Sequence, residues 1–177
     1  MPLIFKNIIR FCVFFGVQVF ILDHIMIHQM VVPYLYFLFI LWLPFSINRS
    51  VLMVVAFLTG LSLDYFHHSG GFHAAACVLI AYIRPFLINI LIPREGADNN
   101  YFEPSTQSFG GIFQYMIYAG LLALIHNAWL FLLQAWQFGN PGHFFVKTLL
   151  STALSLLLIL TAELIFPRKQ KFRTNTI

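Results

Sequence analysis

From Ile112 to Trp136 the chain carries no Asp, Glu, Lys or Arg, and runs of nearly the same kind recur along its length. A helix needs about 20 apolar residues to cross the roughly 30 Å hydrocarbon core of a bilayer, so such runs decide the solvent before they decide the fold. Only 9% of the residues are charged and 60% are hydrophobic. A soluble domain would carry about a quarter charged residues to cover its surface. The composition therefore makes this an integral membrane protein. With 177 residues, the chain has room for about six crossings and none for a separate soluble catalytic domain.

Uniform apolar character within each run predicts helices rather than the alternating strands of a lipid-facing barrel. The expected fold is an all-α, compact bundle of six transmembrane helices in a single domain. Its spans are predicted at about 8–27, 31–47, 51–66, 72–92, 112–136 and 144–166, with a polar loop over 93–111 and a basic tail over 167–177. The first run lacks a small-x-small cleavage signal and reads as a retained helix. Cys12 and Cys77 fall in different apolar runs, outside any CxxC pattern, and read as packing residues.

Orientation follows from the basic residues. Lys6, Arg10, Arg49, Arg94, Arg168, Lys169, Lys171 and Arg173 fall on one side of this scheme and Lys147 alone on the other. Both termini are therefore expected in the cytoplasm. Arg168, Lys169, Lys171 and Arg173, with Arg94 and Glu95 of the loop, are candidate contacts for anionic lipid or a cytoplasmic partner. The patch is short and lies against the membrane, which argues against nucleic acid. Tyr34 and Tyr36 read as interfacial anchors.

Ionisable residues at membrane depth carry the functional question. GLSLDYFHHSGGFHAAA, residues 60–76, places Asp64, His67, His68 and His73 around Gly70 and Gly71. One reading is a latch: Asp64, at the end of the third helix, accepts hydrogen bonds from the turn or from His73, while the glycines let the fourth helix start close by. The same residues leave open a metal site, for which the spacing is poor, and a proton-relay or substrate role. Arg84, inside the fourth helix, either snorkels to the headgroups or pairs with Glu163 of the sixth. Gln18, Asn89, His126 and Asn127 read as inter-helix hydrogen-bonding groups. No paired carboxylates or nucleophile–base set stands out, so no catalytic residue, metal ligand or cofactor is assigned.

The Gly60-x-x-x-Asp64 spacing, the short turn, Gly71-x-His73 and Ala74 to Ala76 resemble the MreD family of rod shape-determining membrane proteins. PYLYFLFILWLPF and AYIRPFLINILIPREG resemble the version found in the Bacteroidetes group, over roughly Val17 to Phe166; the His67-His68 pair departs from the pattern. The resemblance implies a fold similar to the substrate-binding subunits of energy-coupling-factor transporters. It also implies a non-enzymatic scaffold of the cell-elongation machinery in the bacterial inner membrane. The partners it implies are an MreC-like protein, a RodA-type glycosyltransferase with its transpeptidase, and, at a remove, MreB filaments. The alternative is a substrate-binding subunit of a vitamin-type transporter, which needs a polar cavity open near Asp23, Asp64 and His73.

Overall fold

The computed structural model describes residues 3–25, 31–92, 102–135 and 141–166. Its long helices are α1 (Leu3–Phe20), α3 (Arg49–His67), α4 (Phe72–Leu91), α5 (Ile112–Ala135) and α6 (Pro141–Ile165); α2 (Leu38–Leu41) is a single turn. Five helices among the described residues are long and apolar enough to cross a membrane. Their outer faces expose large apolar side chains such as Val54, Leu58, Leu149 and Leu157, which in a bilayer meet lipid. Consecutive helices pack side by side, α3 on α4, α4 on α5 and α5 on α6.

The expected helix over 31–47 does not form. Only Leu38–Leu41 is helical there, and the chain from Val31 to Leu35 is non-helical. The prolines explain why. Pro33 and Pro44 bracket ten residues, which as a helix would span about 15 Å, half the hydrocarbon core. Each proline also turns the residue before it away from helical geometry.

This segment nevertheless carries the chain back through the bundle. Leu35 lies at the level of Gln18 of α1, Phe39 at Phe11, and Trp42 at Phe14 and Arg10, so it runs antiparallel to α1. Every residue from Pro33 to Pro44 is buried. Tyr34 and Tyr36 are therefore core residues rather than interfacial anchors. Non-helical backbone is tolerated at membrane depth only where protein covers it and supplies its hydrogen bonds. Here α1, α4, α5 and α6 all do so.

At the Arg10 end, residues 102–111 of the polar loop fold back onto the bundle. The Phe45 N–H donates to the Phe102 carbonyl at 3.2 Å, and Phe109 is buried against Tyr115 and Tyr118. Glu103 accepts from Lys6 at 3.1 Å and from Arg10 at 2.8 Å. Partial burial pushes the Glu103 carboxyl up, but the two cations outweigh it and hold its pKa below the usual value. The described part of the loop is thus docked on the bundle. Arg94 and Glu95 lie outside the described residues, as do Arg168, Lys169, Lys171 and Arg173.

Helices α3 and α4 approach each other closely at Gly60. A Cβ built there would come within 2.5 Å of the His73 carbonyl oxygen and 2.6 Å of Ala74 N, main-chain atoms that cannot swing aside. Gly60→Ala should therefore lower stability in detergent by about 1–3 kcal/mol, the usual range for overpacking. Gly16, with nothing within 4 Å of its Cβ position, is the control: Gly16→Ala should be neutral or stabilising by up to about 1 kcal/mol. Thermal unfolding of the two variants beside the wild type checks both values.

Candidate functional site

The sequence stretch 60–76 covers the end of α3, the turn over 68–71 and the start of α4. His68 ends α3 in the left-handed region, at φ 50°, where histidine is among the better-tolerated residues. Its N–H and that of Ser69 both return to the Asp64 carbonyl. Gly71, at φ 93°, then starts α4 in a conformation that favours glycine.

Gly71 has no side chain to cap the helix it starts, and Asp64 supplies the cap from α3. Its carboxylate accepts the His73 N–H at 3.0 Å, the Ala74 N–H at 2.8 Å and the Ser69 hydroxyl at 2.6 Å. These two amides belong to the second and third residues of α4, the positions an N-cap serves. A negative charge there also meets the positive end of the α4 dipole. Asp64 is thus satisfied by the turn and by the His73 backbone, and the His73 ring is left for other partners.

That ring belongs to a buried polar chain. His73 Nδ1 lies 3.0 Å from the Tyr36 hydroxyl, which lies 2.8 Å from His126 Nε2; His126 Nδ1 lies 3.1 Å from Asn127 Oδ1. Asn127 Nδ2 donates to Thr152 Oγ1 at 3.1 Å, which carries the chain on to α6. One arrangement of protons satisfies every member of the chain. Asn127 Oδ1 only accepts, so neutral His126 carries its proton on Nδ1 and accepts the Tyr36 O–H at Nε2. Tyr36 oxygen then accepts from His73 Nδ1–H and from the Cys77 thiol at 3.7 Å. In this arrangement Tyr36 uses its donor and both acceptor positions.

Toward the His67 end, Asp23 accepts from Gln18 Nε2 at 2.8 Å and pairs with His67 Nε2 at 2.7 Å. Gln18 also donates to the Pro33 carbonyl at 3.2 Å and accepts the Leu35 N–H at 2.7 Å and the Tyr36 N–H at 3.4 Å. The Ser155 hydroxyl takes the Tyr34 N–H at 3.0 Å, and Ser151 takes that of Val32 at 3.3 Å. Both serines of α6 thus act through their hydroxyls.

At the other end of the buried segment stands Arg84. It neither snorkels nor pairs with Glu163. Its side chain is buried, donating Nε to the Tyr118 hydroxyl at 3.1 Å and Nη2 to the Leu43 carbonyl. Tyr118 in turn donates to the Leu41 carbonyl at 3.2 Å, and Trp42 donates its indole N–H to Tyr115. Carbonyls at the end of α2 are electron-rich and unpaired within the helix, which makes them suitable acceptors for a guanidinium. Glu163 lies on a separate contact, accepting the Thr106 N–H at 3.4 Å.

Of the predicted site residues, the fold brings Gly60, Asp64, Gly70, Gly71 and His73 together where α3 turns into α4, and gives Arg84 and Glu163 different partners. Among the described residues no group of three or more His, Cys, Asp or Glu side chains is placed to hold a metal ion. His67 has Asp23 as partner, and His68 forms the left-handed cap. Tyr36, the centre of the chain, was missed in the sequence, although the Pro33–Pro44 spacing carried the warning that its segment does not span as a helix. Comparison with protein-family models, curated proteins and solved structures gave no match.

Asp64→Ala should lower stability by about 2–4 kcal/mol, since it strands two buried N–H groups. Asp64→Asn keeps one acceptor oxygen and should cost about half as much. Equal losses for the two variants in thermal unfolding would contradict the cap.

Proposed function

We propose that this chain is a non-enzymatic scaffold of the bacterial cell-elongation machinery, lying in the inner membrane with both termini in the cytoplasm. It organises peptidoglycan synthesis through an MreC-like protein, a RodA-type glycosyltransferase and the partner transpeptidase of that enzyme, with MreB filaments engaged indirectly. The sequence resemblance suggests these partners, and lateral helix packing in the bilayer is the mechanism by which they would be held.

The observation that carries the reading is the close packing around Asp64 and His73 among the described residues. A vitamin-type binding subunit would keep a polar cavity there. Tyr34 and Tyr36 occupy that space, with Tyr34 packed on the rings of His73 and His126, and each acid is engaged by protein groups. What such a bundle offers a partner is a rigid apolar exterior, its α3–α4 angle fixed by the Gly60 contact and the Asp64 cap.

Native co-purification with cross-linking tests the reading. Recovery of an MreC-like protein together with a cell-wall synthase is the expected result. An ATPase pair recovered in their place would overturn the scaffold and favour the transporter subunit.

A further inference from the structure

A groove of about 700 Å³ runs down the outside of the bundle over α4. Phe57 and Leu61 of α3 form one wall and Trp129 of α5 the other, with Ala75, Val78 and Tyr82 of α4 between them. From Gly71 to Tyr82 the groove is roughly 16 Å long at 1.5 Å per residue. Its lining is almost entirely apolar, and the positions a Cβ would take at Gly70 and Gly71 are open.

At the Tyr82 end stands a cation. The Arg49 guanidinium lies 4.2 Å from the centre of the Tyr82 ring and 5.1 Å from that of Phe86. Its one hydrogen bond among the described residues is a long one, 3.5 Å, to the Tyr82 carbonyl. Lys6 and Arg10, at the same end of the bundle, share Glu103; Arg49 has no carboxylate within salt-bridge distance among the described residues. The aromatic faces hold the side chain in place while leaving its N–H fork free for an anion.

We infer that this groove and Arg49 form a binding site for one anionic phospholipid, with an acyl chain along α4 and the phosphate on the guanidinium. Size favours lipid over a partner helix. A helix is about 10–12 Å across with its side chains and spans about 30 Å, so it could place only a few side chains in a groove of this volume. An acyl chain, one methylene wide, lies along it. Charge agrees, because a planar guanidinium matches phosphate geometry.

Native mass spectrometry of the full chain, purified in detergent and offered equal amounts of dioleoyl phosphatidylglycerol and dioleoyl phosphatidylcholine, tests the site. The wild type should retain one phosphatidylglycerol after other lipids are stripped. Arg49→Gln should lower that preference roughly tenfold, the loss of one charge-assisted contact. Ala75→Phe, which fills the groove and leaves Arg49 in place, should lose the retained lipid of either kind. Thermal unfolding of both variants confirms that the bundle is intact. Unchanged retention in both variants, or no preference in the wild type, overturns the proposal. So does a polypeptide in place of lipid when a photo-cross-linker on Ala75→Cys is activated in native membranes.

Discussion

The side-chain amide of Gln18 accepts from Leu35 and Tyr36 and donates to Pro33 and Asp23, and much of the bundle is arranged around the segment it holds. Residues 31–43 pass through the protein interior with only one helical turn. In a bilayer each unsatisfied backbone group costs several kcal/mol. Water cannot supply the partners, so side chains must. Gln18, Ser151 and Ser155 serve the N–H groups at one end of the segment, while Arg84 and Tyr118 serve carbonyls at the other. Several polar residues buried in an otherwise apolar sequence share this one physical explanation.

The same requirement connects the segment to the α3–α4 turn. Tyr36 reaches His73, whose own N–H is held by Asp64. Asp64 fixes where α4 begins, Gly60 fixes how close it lies to α3, and the His73 ring then stands where Tyr36 can meet it. His126 closes the chain from α5, and Asn127 carries it on to Thr152 of α6. A polar core that is fully satisfied specifies one arrangement of the bundle.

Much of this was legible in the sequence. The long spans at 51–66, 72–92, 112–136 and 144–166 were readable because apolar runs of membrane length have few alternatives, and their observed ends fall within a few residues. The Asp64 latch was readable because a carboxylate at the end of one helix, two glycines and a new helix start within ten residues leave it few other partners. The 31–47 segment was misread because hydropathy measures burial and not conformation. A chain buried in protein and a helix facing lipid have the same composition. Arg84 was misread for a related reason: snorkelling and pairing with an acid both assume that the charge must leave the interior or meet a carboxylate. Backbone carbonyls freed by a short helix provide a third solution, one that becomes visible only once that helix is placed.

Residue-resolved amide hydrogen exchange in lipid nanodiscs tests the role of Gln18 most directly, comparing the wild type with Gln18→Leu. The expected result is strong protection of Leu35 and Tyr36 in the wild type, lost in the variant, with α5 protection retained in both. Exchange of Leu35 and Tyr36 in the wild type at rates typical of an open loop, or protection unchanged by the substitution, would contradict it.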